Sequence, residues 1–174
     1  MPAHTSWELV VATLKASAAS VQRENDEALD RLMDDGSSAV VNAARVSQIR
    51  IVMLAVGGFS MLEGILEQTR DWREPFIELD KELRAKGLGS IADEFLVYKM
   101  AINVLKHGFG RSYEWLLSRE NLPFRVKNRD ESFFEEGDIG EIPGLILVDH
   151  FFVHSCASVI EKALTALKIP RVEI

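Results

Sequence analysis

The sequence predicts an all-α protein, an up-down bundle of four to five helices led by two long N-terminal ones. Three observations predict it. Apolar residues in the first third recur at alternating steps of four and three, the period of a helix face. A second long stretch is apolar nearly all round its middle. Two-residue alternation, the mark of a half-buried strand, is confined to Phe124-Arg125-Val126-Lys127.

The first helix opens at Thr5 and Glu8, whose spacing suits a capping box in which each side chain satisfies an orphan backbone donor. Trp7, Val11, Leu14, Ala18, Val21, Ala28 and Leu32 then form a seam, with Asn25 in its one polar slot. The seam ends at the turn around Gly36, making a helix of about 28 residues and ~40 Å. The second runs from about Ser38 to Arg70. Its core, Ile51 to Leu66, reads as the centre of a bundle, and Gly57 and Gly58 inside it let a neighbouring helix approach closely.

A shorter charged helix is expected over Asp71 to Lys86, with Pro75 near its first turn and Gly87 and Gly89 after its end. Ser90 and Asp93 are expected to cap the next helix, on which Ile91, Phe95, Tyr98, Ile102 and Leu105 share a face until Gly108. A short helix follows over Ser112 to about Ser118. Residues 121–145 carry Pro123, Gly137, Gly140, Pro143 and Gly144, and predict an irregular excursion or small hairpin in which Phe133 and Phe134 must be buried. A last helix spans about Leu147 to Leu167. No linker divides residues 1–174, so one domain is expected.

A net charge of −7 means that the surface as a whole repels nucleic acid and anionic lipid. Any polyanion partner needs a local basic patch. The single cysteine, Cys156, permits no disulfide within the chain and sits in an apolar stretch, as a core residue would. Met1 to Ser6 lacks the features of a secretory signal. The longest uncharged apolar run, Ile51 to Leu62, reaches only ~18 Å as a helix, against roughly 30 Å for a bilayer core. The expectation is a cytoplasmic protein with no membrane partner and no cofactor.

Candidate chemistry concentrates at Asn103 to Arg111. Asn103 and His107 are four apart and share a helix face, Lys106 flanks them, and Gly108 and Gly110 lead into Arg111. An imidazole that titrates near neutrality, an amide to hold its tautomer and two cations suit an anion or general acid–base chemistry. Lysine and histidine before glycine also suit a helix C-terminus on charge and capping grounds alone.

Residues 99–129 hold Lys99, Lys106, Arg111, Arg119, Arg125, Lys127 and Arg129 against Glu114 and Glu120, a local charge of +5. Tyr113, Trp115 and Phe124 lie among these cations, as stacking on single-stranded RNA requires. Six carboxylates from Asp130 to Glu141 follow, and folding of that segment, or of a second subunit, over the basic one is the alternative.

Asn103, His107 and Gly108 resemble a motif of the HEPN superfamily of helical bundles, in which an arginine, a polar residue, a histidine and often a glycine stand near a helix end. Ile102 takes the arginine's place here. The resemblance implies a homodimer with motifs facing across a shared cleft and, in active members, metal-independent RNA cleavage in a defence, toxin–antitoxin or stress setting. His107 would then act as general acid or base on a ribose hydroxyl, with Lys106 or Arg111 stabilising the phosphorane. Without the arginine, a non-catalytic regulatory protein with a protein partner is the alternative. The run KHGFGRSYEWL also resembles one in uncharacterised bacterial proteins. Finally, His150 and His154, four apart, with His107 as third ligand, are similar to the three-histidine site of DinB-like metal-dependent enzymes.

Overall fold

The computed structural model describes residues 6–34, 37–128 and 144–169. Six helices follow one another: α1 (Trp7–Asp34), α2 (Ser38–Arg70), α3 (Pro75–Ala85), α4 (Gly89–His107), α5 (Arg111–Leu117) and α6 (His150–Ala166). The all-α bundle led by two long helices is as expected, and one buried cluster draws residues from all six.

The α1 seam is buried through Trp7, Val11, Leu14, Ala18, Val21 and Ala28. It packs on α2 and α6. Thr5 of the expected capping box lies outside the described residues; Ser6 Oγ instead donates to Glu8 Oε2 at 3.1 Å.

The α2 helix runs 33 residues without a break. Ala44, Ile51, Ala55, Phe59, Leu62, Ile65 and Leu66 are buried on one side. The opposite side is open: Val46 and Ile49 are each 54% exposed, Met53 66% and Met61 45%. The expectation that Ile51 to Leu66 lies at the centre of the bundle is therefore corrected: within it Met53 and Met61 stand open. Helices α1, α3, α4 and α6 supply neighbours for one face only. By length and composition α2 is also long and apolar enough to cross a membrane, which the shorter uncharged run did not suggest.

Asp71 ends α2 in a left-handed conformation (φ 54°), and Pro75 starts α3, where its missing N–H costs nothing. At the far end of α3 the Gly87 and Leu88 amides donate back to Arg84 O and Leu83 O at 3.0 and 2.9 Å. The expected Ser90–Asp93 cap does not form. Helix α4 begins two residues earlier than that cap implies, at Gly89, and Asp93 accepts from Arg84 Nη2 at 2.7 Å instead.

Two aromatic groups join the layers. Phe59 of α2 meets Phe76 of α3 and Phe95 of α4 with ring centroids 5.9 and 5.6 Å away. Tyr98, Phe124 and Phe152 form a second group at 5.1–5.6 Å. The excursion is pinned at its base by one antiparallel bridge, Val126 to Ile146, with Lys127 N donating to Leu145 O and Leu147 N to Arg125 O, both at 3.0 Å. Phe133 and Phe134 lie outside the described residues. Asp149 then caps α6, accepting from Phe152 N at 2.7 Å.

Candidate functional site

Lys99, Asn103 and Lys106 fall at steps of four and three along α4, so they share one face. Lys99 and Asn103 are half-buried, while Lys106 and His107 are exposed. The helix stops at His107 because Gly108 takes φ 72°, ψ −138°, with its N–H still bonded to Val104 O at 2.8 Å. Gly110 (φ 156°) turns the chain again, and Arg111 opens α5, exposed to solvent. Glycine is required at both turns, since a side chain is strained at such φ values.

The sharp corner places Lys106 and His107 at the end of α4 and Arg111 at the start of α5. It also redirects Asn103. Its Nδ2 points to Ser112 Oγ, 3.5 Å away on the first turn of α5, so the expected role of holding the His107 tautomer is not what this geometry provides. Asn103 ties α4 to α5. Ile102, at the place of the motif arginine, is 4% exposed and faces the core.

The aromatic residues divide. Tyr113 is buried at 2%, and its hydroxyl donates to Lys127 O at 2.8 Å. Phe124 is spent on Tyr98 and Phe152. Tyr113 offers no face to a base, which corrects that expectation; Phe124 is half-buried against its two aromatic neighbours. Trp115 is half-buried, with the Arg119 guanidinium 4.4 Å from its ring centre. Asp93, Leu96 and Val97 complete a shallow hollow beside that pair. Phe109 was not anticipated. It is 53% exposed and stands edge-on to Tyr113 at 5.2 Å, between the two turning glycines. An aromatic residue flanked by glycines was the available signal.

The cations divide as well. Lys15, Arg50, Lys81, Arg84, Lys86 and Lys162 each pair with a carboxylate. Among the described residues no carboxylate pairs with Lys99, Lys106 or Arg111. Arg125 and Lys127 flank the Val126–Ile146 bridge, apart from these three in the chain, and neither is without a partner. Arg129 and the Asp130–Glu141 segment lie outside the described residues.

The three-histidine alternative is not assembled. His154 is exposed on α6, while His150 lies against Phe151 with ring centroids 3.8 Å apart and its Nδ1 buried without a hydrogen-bond partner. Among the described residues no three His, Cys, Asp or Glu side chains are placed to hold a metal ion. Cys156 is buried, as expected of a core residue. No protein-family model, curated protein or solved structure matches this chain.

Proposed function

We propose that this protein is a HEPN-like helical bundle, cytoplasmic, that binds single-stranded RNA at the corner between α4 and α5. The supporting observation is that among the described residues no carboxylate pairs with Lys99, Lys106 or Arg111, with Lys106 next to exposed His107, while Lys15, Arg50, Lys81, Arg84, Lys86 and Lys162 each have one. Such cations exchange condensed counterions for phosphates, which drives sequence-independent binding. Phe109 offers a π face at the same corner, while the Trp115–Arg119 pair lies further back along α4, beside Asp93 and Val97.

The reading is of binding. Cleavage would ask His107 to move a proton at a 2′-hydroxyl, and the two groups meant to assist it are turned elsewhere: Asn103 to Ser112, and position 102 into the core.

The test is fluorescence anisotropy with a labelled single-stranded RNA. Lys106→Ala with Arg111→Ala should weaken binding at least tenfold at low salt. It should also flatten the salt dependence by about 0.7 in slope per lost contact. Binding that is absent, or equal in the double variant, removes the proposal. In chelator, RNA cleavage by the natural protein but not by His107→Ala would replace binding with nuclease activity.

A further inference from the structure

We infer that the hollow between α4 and the end of α5 takes a guanine base of the bound strand and that Glu120 reads it. This deepens the RNA reading and rests on it.

The helix pair sets the path. Asn103 reaches Ser112 at the corner, and α5 then runs back along α4, so that Trp115 and Arg119 stand beside Asp93 and Val97. Arg111 and Trp115 are four apart, one turn of ~5.4 Å, and share a face of α5. A strand whose phosphates meet Lys106 and Arg111 is thereby directed along α5 toward the hollow.

The hollow has the walls that a base needs. Leu96, Val97 and Leu122 are half-buried and give it an aliphatic lining. Trp115 is half-buried too, and the exposed Arg119 guanidinium lies 4.4 Å from its ring centre. Bases stack on aromatic rings and on guanidinium planes alike. A volume of about 270 Å³ falls below the ~300–1,000 Å³ of pockets that enclose a whole small ligand. One base of a chain anchored elsewhere suits it better than a free molecule does.

The carboxylates choose the base. Asp93 and Glu120 are both exposed at the hollow. Asp93 Oδ1 accepts from Arg84 at 2.7 Å, and Arg84 also holds Asp80 at 3.0 and 3.1 Å, so Asp93 is a fixed part of the wall. Among the described residues no cation pairs with Glu120. It is one of two carboxylates within the basic stretch 99–129, where phosphate binding alone gives a negative charge no use. An ionised carboxylate only accepts hydrogen bonds, through two oxygens side by side. Guanine answers with two donors side by side, N1–H and the N2 amino group. Adenine, cytosine and uracil each set a donor beside an acceptor, which a carboxylate repels. Glu120 therefore selects, while Trp115 and Arg119 hold the ring.

Fluorescence anisotropy at low salt tests this with short labelled RNAs, all uridine except for the central base. Guanine at the centre should bind roughly tenfold more tightly than adenine, cytosine or uridine. Inosine, which lacks the N2 amino group, should lose most of that preference. Glu120→Ala should abolish the preference and leave the all-uridine strand bound no more weakly, because the group removed is a negative charge. Lys106→Ala with Arg111→Ala should instead weaken every strand alike and keep the preference. Equal binding of all strands, or a guanine preference that survives Glu120→Ala, overturns the inference; RNA binding itself still stands if it depends on Lys106 and Arg111. No binding of any strand removes both. Displacement of the strand by equimolar GMP would overturn the assignment to a base within a strand.

Discussion

Leu14 of α1 lies directly over Gly58 of α2: a Cβ on the glycine would stand 2.5 Å from one Leu14 methyl and 2.8 Å from the other. Leu14 is 6% exposed, so it has little freedom to withdraw. Gly58→Ala should therefore lower stability by about 1 kcal/mol. Overpacking of about 1–3 kcal/mol is partly offset by the helix propensity that alanine regains, about 1 kcal/mol. Leu14→Ala alone should cost about 2–5 kcal/mol through the cavity it leaves. The double variant should cost less than the two together, because the new methyl occupies the vacated space. Urea unfolding measures all three, and strict additivity would falsify the contact as described.

Tyr113 gives a second test, one that separates scaffold from binding surface. Its hydroxyl holds the excursion through Lys127 O, and its ring is sealed. Tyr113→Phe should cost about 1 kcal/mol, a fall of roughly 2–4 °C in Tm. RNA affinity and its salt slope should stay as they are. A loss of affinity without a loss of stability would return Tyr113 to the binding surface.

Cys156 and Tyr98 set the alkaline limit. Burial pushes the Cys156 thiol well above its usual value, and burial raises Tyr98 as well, against a lowering hydrogen bond with Ser155. Both groups are thus held neutral in the folded chain. Their contribution to stability is whole below the unfolded values, about 8.5 for cysteine and 10 for tyrosine. It is lost as pH rises through the raised folded values. Tm should fall between pH 8 and pH 10.5, and fall less in Cys156→Ala. The native thiol should resist a disulfide-exchange reagent until urea unfolds the chain. Rapid labelling of native protein would contradict the burial.

Much of the fold was legible because periodicity records burial directly. The α1 seam from Trp7 to Ala28 is buried where its spacing predicts, the Leu32 side chain lying outside the described residues, and Phe95, Tyr98 and Ile102 are buried on α4. Ends were less legible. Asp93 looked like a capping residue until Arg84, nine positions earlier, proved to hold it. At the α4–α5 corner the sequence located the polar groups along the chain, while the turn at Gly108 and Gly110 decided which way Asn103 aims. Asn103 reaches Ser112 for that reason. Tyr113 and Phe124 could not be told from exposed aromatics by their place among cations, since what buries them is a segment more than ten residues on or a helix from the chain's end. The middle of α2 misled differently. An apolar surface reads the same in sequence whether its cover is in the chain or outside it.

The burial of Ile102 has a consequence for the motif itself. The arginine that the HEPN resemblance calls for cannot be restored by exchanging one side chain. Position 102 opens onto packed hydrocarbon, where a guanidinium would be stranded far from any phosphate and from water. A cation serving His107 has to come from the solvent side of the corner, which is where Lys106 and Arg111 stand.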